Sequence, residues 1–293
     1  MGHPAGCPTW GYTMSIRIVT DSTCDIPADL QERYGILVLP AYINIGDQSY
    51  LDGVELSRQT FYTNLPDYPR TPTTAAPATG TFAAAYEKLA GEGATEILSI
   101  HVAASLSGIL NAARLGAEAA DAVPVTLFDS RQLSMGLGLL ALTAARAAQA
   151  GHSMGAIVAL LEERVQRTHV LAVLDTLEFL RRSGRVSWTE FSLGTLLKIK
   201  PLVHVHDSEV KSLGRIRTQK RAVEEMLQFA RSLAPLEQVA FLHTQNPAGA
   251  TAIQEALQAF IPAGQQPPVV EVTPAIGAHI GPGAVGLACI TTT

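Results

Sequence analysis

Short runs rich in isoleucine and valine alternate along this chain with longer stretches of helical spacing, and that alternation narrows the fold more than any other feature. Apolar runs of four to eight residues suit buried strands, and the longer stretches between them suit crossover helices, so the pattern describes a largely parallel sheet covered by helices. In the first half, runs at 16–20, 37–43, 96–102 and 125–128 predict strands. Stretches at 28–34, 57–64, 81–91, 107–120 and 133–150 predict helices, with Ser57 and Ser107 as N-caps. The segment 66–79 is punctuated by prolines at 66, 69, 72 and 77 and reads as a loop. After a helix at 154–167 the character changes. Strands at 170–173, 201–206 and 239–243 alternate with helices at 219–233 and 248–260, and Asp207-Ser208-Glu209 marks a turn between adjacent strands. With 293 residues the chain has the length of one large or two ordinary domains. The expectation is an α/β protein with two α/β domains. The N-terminal one covers 14–167 with a mostly parallel sheet flanked by helices, and the C-terminal one covers 168–293 with a mixed sheet and helices.

Composition excludes several classes of function. Hydrophobic residues make up 47% and charged residues 16%, an apolar excess that leaves material to line a cavity. A net charge of −5 opposes nucleic-acid binding, which needs a basic face to neutralise phosphates. Cys7, Cys24 and Cys289 are odd in number and widely spaced, which predicts neither a disulfide framework nor a zinc site and fits a reduced cytoplasmic setting. The most apolar helical stretch, 133–150, contains Arg146 and is no membrane span. The first thirteen residues lack the charged start and apolar core of a secretory signal. They read as a disordered lead-in over 1–13, and Met14 is an alternative start.

Candidate site residues fall in a few clusters. Near the carboxyl end, His279 sits in the stretch 276–286 among Gly277, Gly281, Gly283 and Gly286, where glycine lets a backbone approach a ligand closely and Pro282 fixes the loop. Near the other end, Asp21, Ser22 and Thr23 follow the first strand, and ligands of open α/β sheets bind beyond the carboxyl ends of strands. Thr71, Thr73 and Thr74 precede a helix, whose N-terminus favours an anionic head group, although the residues by themselves favour ordinary loop and capping roles. Ser105 and Ser107 occupy another strand-to-helix junction, where Ser107 also suits a cap. His204 and His206 face one side of a strand as a metal pair would, but no carboxylate or cysteine is placed to complete a set. They are read as a solvated or core face, and no metal is expected. Arg181, Arg182, Arg185, Arg215, Arg217, Lys220 and Arg221 form the dense basic clusters, which are most simply solvated faces. A hydrolase or kinase acting alone is the enzymatic rival, yet the chain has neither a G-x-S-x-G elbow nor a phosphate-binding G-x-x-x-x-G-K-[ST] loop.

The segments Thr20–Pro27, Leu106-Ser107-Gly108, Asp129-Ser130-Arg131, 177–185, Gly214-Arg215-Ile216-Arg217-Thr218 and 277–284 together, in this order, resemble the DegV family over nearly the whole chain. That resemblance implies a binding protein, without catalytic residues or cofactor, that holds a long-chain fatty acid between its two domains. It implies further that the carboxylate is presented to a separate kinase subunit, which makes an acyl phosphate for phospholipid synthesis. It assigns the carboxylate to Thr74 and His279 with a serine near 103–107, either Ser105 or Ser107. Arg185 and Arg217 are implied near the ligand end or at the partner's docking surface; their charge makes an anionic membrane a further expected transient partner. Where the family carries Ser, Gln and Ser after the threonine, this chain has Ala75, Ala76 and Ala78, and Ala103 and Ala104 replace a serine pair. A sensor or adaptor for another apolar carboxylate is the remaining alternative.

Overall fold

The computed structural model describes residues 15–121, 123–185 and 199–292, apart from the side chain of Arg215. The expected lead-in over 1–13 and the alternative start at Met14 lie outside the described residues. The first half runs β1 (Ile16–Asp21), α1 (Ala28–Tyr34), β2 (Leu37–Leu39), β3 (Tyr42–Ile45), β4 (Gln48–Leu51), α2 (Arg58–Asn64), β5 (Thr73–Ala75), α3 (Thr79–Gly91), β6 (Glu96–His101), α4 (Ile109–Ala119) and β7 (Val125–Asp129). Two helices, α5 (Ser134–Gln149) and α6 (Met154–Val165), lead into the second half. There follow β8 (Thr168–Val173), α7 (Glu178–Ser183), β9 (Lys200–His206), β10 (Glu209–Ile216), α8 (Gln219–Ser232), β11 (Leu236–His243), α9 (Pro247–Ala256), β12 (Val269–Glu271), α10 (Pro274–Ile280) and β13 (Val285–Thr291).

This is an α/β fold with a parallel sheet and a mixed sheet. The parallel sheet has the order β2-β1-β6-β7, and the mixed sheet the order β10-β9-β8-β13-β11-β12. In the mixed sheet only the pairing of β11 with β12 is parallel. A third, antiparallel sheet, β4-β3-β5, sits apart from both. It accounts for two departures from the sequence reading. The expected strand 37–43 is divided by Pro40, which cannot donate to a ladder, so β2 and β3 belong to different sheets. The expected loop 66–79 contains β5, a short edge strand between Pro72 and Pro77 that pairs with β3. Similarly, the C-terminal glycine-rich stretch is not all loop: His279 stands in the last turn of α10.

The helix α5 joins the two large sheets. Of its residues, only Arg146, Ala148 and Gln149 escape full burial, and a helix apolar on every side must be covered on every side. It packs on β1 in one direction and on β8, β11 and β13 in the other. One core therefore runs from Val19 and Leu98 of the parallel sheet through Leu137 and Leu140 to Val170, Val205, Leu242 and Ile290 of the mixed sheet. Each such fully buried aliphatic side chain stabilises by roughly 1.5–3 kcal/mol. The alternate residues of the mixed sheet, among them Leu171, Val173, Phe241 and Leu287, face outward into a second core closed by Met226 of α8 and Ile253 of α9. Among the described residues, no helix is long and apolar enough to cross a membrane.

Candidate functional site

Where β1 ends, its polar residues turn inward and organise the structure beneath the site. Asp21 Oδ1 accepts from the backbone N–H (3.1 Å) and the hydroxyl of Thr23, while Oδ2 accepts from Val102 N (3.2 Å) and meets His101 Nδ1 at 2.9 Å. His101 Nε2 continues to Ser99 Oγ at 2.7 Å, and Ser99 Oγ to Tyr86 Oη at 2.8 Å. The order Asp-His-Ser has the connectivity of a hydrolytic triad, but Asp21, His101 and Ser99 are each 0% exposed and the serine is already engaged. The series ties β1 to β6 and α3.

A second buried hub lies beside it. Ser22 Oγ donates to Asp52 Oδ2 (2.6 Å), which also accepts from Thr273 Oγ1 (2.6 Å). Asp25, at a left-handed φ of 54°, accepts from Thr273 N (2.8 Å), Ser134 Oγ (2.6 Å) and Arg58 (3.3 Å). Burial pushes Asp25 up to about 6 against the pull of Arg58 and these donors, and raises Asp52 too. The hub fastens the entrances of α5 and α10 to the end of β1. Asp21 and Ser22, expected to line the site, instead hold its frame; Thr23 reaches the cavity wall. Asp52 and Thr273 carried no signal in the sequence, and Asp25, although inside the segment Thr20–Pro27, gave none of its buried role, because the partners come from elements far apart in the chain.

Between the two large sheets is a cavity of about 330 Å³. Its wall is mostly aliphatic: Val170, Ala172, Val203 and Val205 from the mixed sheet, with Leu133 and Leu180 from flanking elements. At its polar part, Thr74 Oγ1 and His279 Nε2 lie 2.9 Å apart. Strand alternation explains why Thr74, and not the exposed Thr73, points inward. Burial, reinforced by the nearby Arg185 guanidinium, lowers His279 to about 4, so the imidazole is neutral at pH 7. Arg185 lines the cavity and is braced through its side chain to Ser183 O at 2.6 Å.

The remaining expected residues divide. Ser107 lines the cavity and accepts from Ile109 N (3.3 Å), although Gly108 takes the N-cap position of α4. Ser105 is exposed and donates to Ser208 O (2.9 Å), fastening the β9–β10 turn. Arg217 is exposed and belongs to a separate surface hollow with Thr218, Arg221 and Glu225. Gly277 and Gly281 are required by protein packing: a Cβ at Gly277 would lie 2.3 Å from Tyr62 Oη, and one at Gly281, with φ of 76°, 2.4 Å from the Phe179 ring. Among the titratable residues of the lining, His243 was not a candidate in the sequence. His243, at the carboxyl end of β11, borders the cavity, and its Nδ1 has no hydrogen-bond partner among the described residues.

Comparison with known proteins gives this architecture its place. The family pattern described as "Uncharacterised protein, DegV family" matches residues 15–292. The chain belongs to the DegV family. A DegV domain-containing protein of Deinococcus radiodurans is 36% identical over 281 residues, 94% of this chain and 98% of that protein. One of Streptomyces coelicolor is 35% identical over 275 residues, 93% of this chain and 97% of that protein. Among solved structures, a DegV family protein from Thermus thermophilus described by its fatty acid binding superposes with a TM-score of 0.86 at 34% identity, covering 95% of this chain and all (100%) of that one. DegV of Bacillus subtilis, described as a fatty acid binding protein, superposes with a TM-score of 0.86 at 30% identity, covering 95% of this chain and 100% of that one.

Proposed function

We propose that this DegV chain holds a long-chain fatty acid in the cavity between its sheets, with the carboxylate at Thr74 and His279 and the tail along Val170 of β8 and Val203 and Val205 of β9. The observation that carries the reading is the hydrogen-bonded Thr74–His279 pair in a mostly aliphatic wall. A hydroxyl and a neutral imidazole carry one hydrogen each; their mutual bond uses one and leaves the other to donate to a carboxylate, whose charge the Arg185 guanidinium nearby favours. Ser107 supplies a further hydroxyl at the wall. The fatty acid binding of the Thermus and Bacillus neighbours supports the same ligand class. Apolar burial contributes about 0.8 kcal/mol per methylene, so a chain of about sixteen carbons gains roughly 12 kcal/mol before ordering costs. A few head-group bonds then set direction and contribute a smaller share of the strength, about 1.5–3 kcal/mol each.

In this reading the chain is a carrier in the cytoplasm, a setting that the buried free thiols of Cys24 and Cys289 support. It presents the carboxylate to a separate kinase subunit, which forms the acyl phosphate for phospholipid synthesis. Exposed Arg181 and Arg182 on α7, beside Arg185, give the cavity region a cationic edge suited to such a partner or to an anionic membrane. Arg217 extends the basic surface elsewhere. Mass spectrometry of an organic extract of the purified protein tests the reading. A fatty acid near one per chain is expected; no acyl chain, together with no binding of added fatty acid, would defeat it.

A further inference from the structure

Three histidines meet on the face of the mixed sheet that points away from the cavity. His204 and His206 alternate along β9 with Val203 and Val205, which line the cavity, so the imidazoles project to the opposite side. The antiparallel register of β8 on β9 pairs Val170 with Val205, and one step further it sets His169 across from His206. The sequence reading found no third donor for the β9 pair; the third is a histidine from the neighbouring strand. His169 Nδ1 and His204 Nε2 are 3.0 Å apart, and the rings of His169 and His206 stack with centroids 4.3 Å apart. One ring nitrogen from each histidine falls within 4.8 Å of the other two.

The surroundings prepare these nitrogens as ligands. His206 Nδ1 lies 2.9 Å from Thr168 O. A carbonyl only accepts, so Nδ1 carries the proton and Nε2 keeps its lone pair. That backbone anchor is how metal-binding histidines are usually oriented. Phe229 of α8 leans on the His204 ring at 5.0 Å and closes one side, while His169 and His206 remain half-buried and approachable. On β10, Glu209 stands opposite His206 and pairs with Lys211, offsetting that cation beside the cluster.

We propose that His169, His204 and His206 form a binding site for a late first-row divalent cation of the zinc type, with three imidazole ligands and a fourth position open. Tetrahedral bonds of about 2.0–2.1 Å place ligand nitrogens about 3.4 Å apart. The observed spacing brackets that value, and rotation about the soft χ2 torsions brings the stacked rings to a common point. Imidazole donors select zinc, nickel or copper over the oxygen-seeking calcium and magnesium. A bound ion would clip β8 to β9 from behind the cavity wall. The site shares a strand with the cavity but no face, so it stands whether or not a fatty acid is bound.

Calorimetric titration of the tag-free, EDTA-stripped full-length chain with Zn²⁺, and absorption spectroscopy with Co²⁺, test the proposal. One ion per chain and the visible bands of a four-coordinate Co²⁺ site are expected. His169→Ala and His206→Ala should each weaken binding at least about tenfold, whereas His152→Ala, an exposed control, should not. Imidazole ¹⁵N correlations of the wild-type protein decide the matter without any variant: on Zn²⁺ addition the shifts should be confined to these three histidines, with His206 responding at Nε2. Absence of stoichiometric binding, shifts confined to other histidines, or folded variants with unchanged affinity would overturn it.

Discussion

Thr74 and His279 are separated by 205 positions in the chain and by 2.9 Å in space. Losing a hydrogen bond to a charged group costs about 1.5–3 kcal/mol, so Thr74→Val or His279→Ala should weaken fatty-acid binding roughly ten- to a hundredfold, read by displacement of a fluorescent fatty acid. Unchanged affinity in both would move the head group elsewhere. His279 also carries a pH signature in the unliganded protein. Its pKa falls from 6.5 in the unfolded chain to about 4 in the fold, so between those values the unfolded state binds more protons. The stability gained by keeping it neutral is complete above pH 6.5 and is lost as pH falls to 4, with a slope of at most about 1.4 kcal/mol per pH unit. His169 and His204 act in the same direction and Asp25, raised to about 6, in the opposite one, so the comparison must be with His279→Gln. Urea midpoints from pH 7 to 4 should fall more steeply for the wild type than for that variant; parallel curves would contradict the shift. Proline spacing made the Thr74 segment conspicuous in the sequence. The inward role of Asp21 and Ser22 was not legible, because a short polar side chain after a strand serves a ligand or a buried carboxylate hub equally well.

At the scale of elements, α5 shows how packing overrides propensity. Gly138 lies inside this helix, where alanine would ordinarily gain up to about 1 kcal/mol. A Cβ there would lie 2.4 Å from the carbonyl oxygen of Cys24, a backbone atom that cannot turn aside. Overpacking of this kind costs about 1–3 kcal/mol, so Gly138→Ala should be net destabilising. Gly155 of α6 is exposed and has nothing within 4 Å of the same position, so Gly155→Ala should be neutral or stabilising by up to about 1 kcal/mol. Chemical denaturation of the two variants checks the pair, and the same sign for both would refute the packing argument. Long elements were legible where periodicity and caps agreed: the expected helix at 133–150 lies within a residue of α5 at each end, and the first strand differs from β1 only by Asp21. The third sheet was not, since β3, β4 and β5 are three or four residues each and too short to display a period. The three-histidine cluster was half legible. The spacing of His204 and His206 announced one shared face, but only the register of β8 against β9 supplies His169.

At the scale of the whole molecule, the strands of the parallel sheet all precede residue 130 and those of the mixed sheet all follow residue 167, yet one core passes through α5 from one sheet to the other. Separate sheets suggest two unfolding units, whereas a shared buried helix couples them, because neither sheet can release α5 without exposing the apolar face of the other. Calorimetry should therefore give a single transition with equal calorimetric and van't Hoff enthalpies. A ligand wedged between the sheets binds only the assembled state, so it should raise the midpoint without splitting the transition. At a free fatty-acid concentration about 100 times Kd the gain is about 2.7 kcal/mol. An unfolding entropy of about 2.1 cal/mol/K per residue converts that gain to an increase of about 4 °C for a chain of 293 residues. Thr74→Val should show a smaller increase at the same ligand concentration. Two resolved transitions, with fatty acid moving only one, would place the ligand within a single unit and break the argument that the cavity and the core join both sheets.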